Sequence, residues 1–379
     1  LKQNRLPSWL FPVLILVGLG LLITGGISYF VALRSPADNP EVSNPEISSI
    51  SPTSTTLPAP SATATDVAPT LTPTLKPMPT STQTEEPAVS EETTIPTPTQ
   101  STDEGANLSL PPKLVFDGHL AYEQVLAQVA FGPRPTGSEA GWATGDFIIA
   151  ELNKMGWQAE PQEFLFMGVQ SRNIIGHKEG SSGPVIIISA HYDTRPAADQ
   201  DPDPTRRGEP IEGGNDGASG VAVLLELARV LNSEKLKNDV WLAFFDAEDR
   251  GRLDGWPFSV GARYMAENLT VNPQSVVVLD MIGDADQQLY YEQNSTAELS
   301  KQIWAVAAEL GYEANFIPEF KYTIIDDHLP FLERLIPAVD IIDFDYAYWH
   351  TVEDTADKVS PESLERVGRT LQVWLEEKQ

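Results

Sequence analysis

Two histidines and a set of carboxylates recur in this chain at spacings that could assemble a metal centre. They fall in His191-Tyr-Asp193, Asn215-Asp216-Gly217, Asp246-Ala-Glu248-Asp249, Leu279-Asp280 and Trp349-His350-Thr351. Imidazole and carboxylate donors with no thiol suit zinc at a reactive site better than at a structural one. Asp193 follows His191 by two positions, so in extended backbone both project the same way and the carboxylate can reach the second ring nitrogen. Asp216 lies among small residues where a loop becomes a helix. It can enter a site with both oxygens, as a carboxylate shared by ions about 3.5–4 Å apart must, or it can cap the helix. Glu248 and Asp249 are adjacent and cannot point alike, which lets one bind metal while the other handles protons. Asp280 interrupts an apolar run, where an unpaired charge is costly and a metal or an arginine is needed to offset it. Among the remaining histidines, His119 and His177 sit apart from reactive residues, and His328 in Asp326-Asp327-His328 reads as a helix-start or network residue.

Each cluster lies at or just beyond the end of a strand-like run, the edge where ligands collect in an α/β sheet. Apolar runs and alternation predict strands at 164–169, 171–176, 185–190, 240–245, 275–281 and 338–342. Helical spacing predicts helices at 121–130, 140–155, 217–231, 259–268, 297–310, 328–335 and 361–377. Ser138 stands as an N-cap before the second helix-like segment, and Pro361 opens the last one. Alternating strands and helices imply a mostly parallel sheet covered on both faces.

Composition divides the chain. Residues 113–379 are long enough for one sizeable core. Residues 34–112 are dominated by Ser, Thr, Pro and Glu, and bury too little apolar surface to offset chain entropy, so a disordered linker is expected. Residues 9–33 carry no charge and are long enough to cross a bilayer. Lys2 and Arg5 precede that run and acidic residues follow it, which predicts a cytoplasmic segment at 1–8, a single transmembrane anchor and an extracytoplasmic catalytic domain. The sequence has no cysteine, so no disulfide framework supports the exported part. The net charge of −29 would repel phosphate backbones and argues against a nucleic-acid partner.

Taken together, the clusters resemble the zinc family that unites bacterial aminopeptidases with the glutaminyl cyclases. The resemblance spans residues 116–375 and includes Gly132-Pro-Arg-Pro-Thr-Gly-Ser-Glu139, Phe244-Phe-Asp-Ala-Glu-Asp249 and Asp326-Asp-His-Leu-Pro-Phe-Leu332 besides the clusters above. It implies an α/β fold, a three-layer α/β/α sandwich with a mostly parallel mixed sheet. It implies one or two Zn2+ ions, with His191 and Asp280 on one, Asp249 and His350 on the other, and Asp216 between them. Glu248 would be the general acid/base, Asp193 would orient His191, and Asp326 would serve catalysis. Trp256, Trp349, Asp327 and Asp284 would bind substrate. Trp256, Asp326 and Trp349 look most like the cyclase branch, whereas Asp249 stands where cyclases typically carry Glu. The Asp-, Pro- and Arg-rich stretch 195–214 departs from the family pattern and could lid the pocket. The expected activity is that of an aminopeptidase acting on peptide or protein N-termini. The second reading is a glutaminyl cyclase at the same site, and the third a silent binding module, which the presence of every ligand and of Glu248 disfavours.

Overall fold

The protein is described by a computed structural model covering residues 114–178 and 183–379. The expected anchor at 9–33 and linker at 34–112 lie outside the described residues. Among the described residues, no helix is long and apolar enough to cross a membrane.

Eight strands follow in chain order: β1 (Gln158–Phe166), β2 (Val169–His177), β3 (Val185–His191), β4 (Asp239–Phe245), β5 (Ser275–Asp280), β6 (Leu289–Tyr291), β7 (Phe316–Phe320) and β8 (Ala338–Ile342). The main sheet has the order β1-β2-β4-β3-β5-β8. β3, β4, β5 and β8 run parallel, with His191 opposite Phe245 and Asp280 opposite Ile342. Their C-terminal ends therefore share one edge. β2 meets β4 antiparallel and β1 closes a hairpin on β2, which makes the sheet mixed. β6 and β7 form a separate parallel pair.

The helices are α1 (Gly118–Val129), α2 (Glu139–Lys154), α3 (Ala218–Val230), α4 (Val260–Glu267), α5 (Ala297–Glu309), the single turn α6 (Leu329–Leu332) and α7 (Pro361–Val373). Period-two alternation along β3 divides the core. Ile186 and Ile188 join a cluster with Val125 of α1, Leu224 of α3 and Leu371 of α7. Val185 and Ile187 join another with Ala262 and Met265 of α4 and Phe331 of α6. Helices thus cover both faces, as expected of a three-layer sandwich. Local signals explain the starts: Ser138 accepts from Gly141 N to cap α2, and Ser360 caps α7 ahead of Pro361.

Three expectations need correction. The first hairpin turns at Met167-Gly168, both at positive φ, so Val169 begins β2 rather than ending β1. β1 extends back to Gln158 through a polar, largely exposed stretch with no apolar alternation to reveal it. The helix predicted at 328–335 is a single turn, because Leu335 takes positive φ and the chain enters β8 through Pro337.

Candidate metal centre

His191 ends β3, and Asp280 ends β5, the neighbouring strand. The His191 Nε2 atom lies 3.1 Å from Asp280 Oδ1 and 3.2 Å from Asp216 Oδ1. On the other side of Asp216, His350 Nε2 is 3.0 Å from Asp249 Oδ1 and 3.8 Å from Asp216 Oδ2. Two buried triads, His191/Asp216/Asp280 and Asp216/Asp249/His350, therefore meet at one carboxylate. Within the second triad, Asp249 Oδ2 is buried with no hydrogen-bond partner in the protein. An orphaned carboxylate oxygen of this kind fits a bound cation.

Asp216 reaches this point because Gly217, not a side chain, caps α3. Gly217 has φ +98°, and a Cβ there would stand 2.6 Å from the Asp193 carbonyl oxygen. The expected alternative, Asp216 as helix cap, is not what forms. Instead, Asp354 holds the loop: its carboxylate accepts from Asn215 N at 2.9 Å, Asp216 N at 3.2 Å and the Tyr346 hydroxyl at 2.7 Å. Burial, with Asp216 adding to it, pushes Asp354 up to about 7.

Asp193 meets His191 chiefly through its backbone. The His191 Nδ1 atom faces the Asp193 backbone carbonyl at 3.1 Å, while the carboxylate stands 3.7 Å away. That carboxylate accepts from Glu248 N at 3.0 Å, Asp249 N at 3.1 Å and the Thr136 hydroxyl at 3.0 Å. It fixes the turn after β4, in which Ala247 at φ +65° lets Glu248 and Asp249 diverge. Thr136 Oγ1 also lies 3.1 Å from Asp246, whose carboxyl burial and Asp193 push up to about 7.

Burial dominates the titration of the centre. It pushes Asp280 up to about 7 and, with Asp216 adding to it, Asp249 up to about 6. Burial also raises Glu248 well above its ordinary value, with Asp326 and Asp249 adding to it against His191. For His350, burial alone would depress the ring, but Asp249 and Asp199 outweigh it and raise it to about 9. His191 is raised the same way by Asp193, Asp216 and Asp280 against its burial.

The triads open into a cavity of about 200 Å³ whose wall includes Asp216, Glu248, Asp249, Asp280, Asp326, Trp349 and His350. Trp349 stacks on His350 with ring centroids 3.9 Å apart. Trp256, expected here, is instead buried with Phe164, Ala247 and Val260 and lies outside the lining. Phe258, two residues on, takes a place in the wall. Asp284 is also outside the lining, bridging to Val359. Asp327 is buried beside Asp326 without lining the cavity, and neither of its carboxylate oxygens has a partner. No residue of the stretch 195–214 lines the cavity. Its Arg195 is buried, donates to Asp249 O at 3.0 Å and pairs with Asp199 at 2.5 Å. Asp199 in turn lies 3.5 Å from His350 Nδ1, so the loop braces the second triad from outside the cavity.

A third buried grouping joins Asp326, His328 and Asp340. His328 Nε2 lies 3.2 Å from Glu292. Although burial opposes it, His328 lowers Glu292 to about 2, aided by the Ile324 amide. Sequence reasoning missed Asp354, Thr136, Arg195, Asp199 and Phe258. None carries a local signal, since each acts through a partner distant in sequence or through a bend in a loop.

Fold and ligand geometry together define a zinc exopeptidase type of site, with the ligands at the parallel edge of the sheet. A sequence model of Peptidase family M28 matches residues 173–375. A solved Zn-dependent exopeptidase from Parabacteroides distasonis is 32% identical, with a TM-score of 0.66, over 70% of this chain and 99% of its own. A Bacteroides thetaiotaomicron glutaminyl cyclase bound to N-acetylhistamine gives the same 32%, 0.66, 70% and 99%. The glutaminyl-peptide cyclotransferase of Drosophila melanogaster is 24% identical over 278 residues, 64% of this chain and 76% of that protein. The chain belongs to Peptidase family M28, and it is a zinc enzyme of the aminopeptidase or glutaminyl cyclase kind.

Proposed function

We propose that this protein is a zinc-dependent glutaminyl cyclase, converting N-terminal glutamine of peptides to pyroglutamate. The observation that carries the reading is that Asp326 and Trp349, two residues through which the chain resembles the cyclase branch, line the same cavity as Glu248. Likeness to the bacterial and insect cyclases supports it. The residues fit the metal, with His191, Asp216, Asp249, Asp280 and His350 as the ligands. Zinc, when bound, supplies Lewis-acid polarisation of the substrate carbonyl.

The protein's own part is proton management and positioning. The substrate α-amine attacks its γ-carboxamide carbon, the carbon–nitrogen bond to the amide nitrogen breaks, and ammonia leaves. Glu248 accepts the proton from the amine and returns it to the departing nitrogen. A carboxyl raised by burial suits that exchange, since an acid–base group works best with its pKa near the working pH. Asp326 stands in the same wall to hold the amine, and Trp349 shields His350 while offering an aromatic face to the side chain. The Asp193 carboxylate keeps Glu248 and Asp249 in register.

A second reading, aminopeptidase hydrolysis, is favoured by the two complete triads sharing Asp216, the arrangement that paired ions require. One paired assay separates the two. The full-length protein is offered Gln- and Leu-anilides, and mass spectrometry follows the pyroglutamyl product and free amino acid. Pyroglutamate from the glutamine substrate, with leucine retained, is the expected result. Release of leucine without pyroglutamate sinks the cyclase reading. We further propose that residues 9–33 anchor the chain in a membrane, with 34–112 as the spacer and the catalytic domain outside the cytoplasm. The uncharged run and the charges flanking it support this.

A further inference from the structure

The cavity floor is strongly acidic, yet Arg252 also lines the cavity, the sole Lys or Arg to do so. The side chain is exposed, and among the described residues no carboxylate pairs with it. This is unusual company in a chain of net charge −29, where the neighbouring Arg250 pairs with Asp254 at 3.0 Å.

The turn presenting Arg252 is specifically built. Arg252 has φ +64° and Asp254 φ +51°, conformations that persist only where surroundings hold them. Arg252 N donates to Trp256 O at 2.7 Å, and Trp256 N donates to Leu253 O at 2.9 Å. The Arg250 guanidinium covers the Trp256 ring at 4.6 Å, and that ring packs edge-on against Phe166. Trp256 thus secures the turn from outside the cavity. At its tip the Arg252 guanidinium lies 5.7 Å from the centroid of Phe258, itself part of the cavity wall. An arginine held over an aromatic wall, with its donors unspent, is suited to a carboxylate.

We infer that Arg252 forms an anionic subsite, taking a substrate carboxylate just C-terminal to the residue whose amine sits at the acidic floor. The inference rests on the reading that this cavity takes peptide N-termini. It adds a preferred substrate class: short peptides bearing a carboxylate at the second residue, from an acidic side chain or from the chain terminus. A peptide bound this way is polar end to end, its ammonium among carboxylates and its carboxylate on a guanidinium.

Calorimetry on zinc-loaded, full-length protein tests this in the Glu248→Gln background, where binding is read without turnover. Gln-Glu-Gly amide is compared with Gln-Gln-Gly amide for the side-chain source, and Gln-Gly with Gln-Gly amide for the terminal source. Either carboxylate peptide should bind about three- to fivefold more tightly than its neutral partner, the range of a partly exposed ion pair. The preference should shrink with added salt, vanish in Arg252→Gln and invert towards Gln-Lys-Gly amide in Arg252→Glu. Equal affinities for charged and neutral peptides, or a preference that survives Arg252→Gln, overturn the subsite. Failure of the wild-type protein to form pyroglutamate would instead overturn the cyclase reading, leaving this binding comparison to stand or fall alone.

Discussion

At the scale of single residues, the proposed mechanism gives proton handling and metal holding to different carboxylates of one turn. Glu248 lines the cavity and Asp249 faces His350, while the Asp193 carboxylate grips both backbone amides. Glu248→Gln keeps the shape and the amide contact but removes the proton acceptor. Turnover should fall by about 10²–10⁴-fold, the usual worth of general acid–base help, with zinc content by elemental analysis unchanged. Normal turnover in that variant would remove Glu248 from the mechanism. Asp354 tests the support of the shared ligand. In Asp354→Ala the buried amides of Asn215 and Asp216 lose their acceptor. Zinc affinity, read by competition with a chromophoric chelator, should drop about 10–100-fold, as for other outer partners of metal ligands. An unchanged affinity would mean the loop holds Asp216 without it. The convergence of His191, Asp216, Asp249, Asp280 and His350 was legible because strand ends and small-residue loops mark where side chains can meet. Asp354 was not, because it lies 138 positions from the amide of Asp216 and inside no periodic segment. Trp256 misled for a related reason: an aromatic near the site can equally well pack behind it.

Among the elements, α3 and β5 matter most, since their spacing sets the distance between Asp216 and Asp280. Gly220 permits it. A Cβ there would stand 2.4 Å from Leu279 O and 2.7 Å from the Ala190 Cβ. Alanine is the better helix former by roughly 0.5–1 kcal/mol, but forcing a methyl group into a packed contact costs about 1–3 kcal/mol. Overpacking should win, so Gly220→Ala should lower the urea midpoint and weaken zinc binding together. A more stable variant would show that α3 has room to spare. Elements with strong internal pattern were readable: β3, β4, β5 and β8 are apolar runs, and α3 opens on small residues. β1 was only partly readable because an edge strand with one exposed face tolerates Gln, Glu and Pro161. β6 was missed because three residues are too few to show a period, and β7 because it is mostly exposed and carries Pro318 and Glu319. They are strands by virtue of pairing with each other.

For the whole molecule, the acidic centre couples stability to both pH and metal. Asp246, Asp280 and Asp354 are pushed up to about 7 and Asp249 to about 6, all chiefly by burial. An unfolded chain releases those protons near pH 4. Between these values the folded, metal-free protein binds more protons than the unfolded chain, so stability falls as pH rises. His350, raised to about 9, adds a slope of the same sign: its contribution is complete below the unfolded value and is lost as pH climbs through 9. With no cysteine to cross-link the fold, nothing covalent masks this dependence. Zinc replaces the protons, since its ligands must be deprotonated carboxylates and neutral imidazoles. Chelated protein should therefore lose melting temperature steadily from about pH 5 to about pH 8, and the increment gained on adding zinc should grow over the same interval. Differential scanning calorimetry at matched ionic strength, with chelator in one series and zinc in the other, measures both slopes. A metal-free melting temperature that rises with pH would mean that the buried carboxylates are already ionised and paired in the fold, and that the centre forms without calling for a cation.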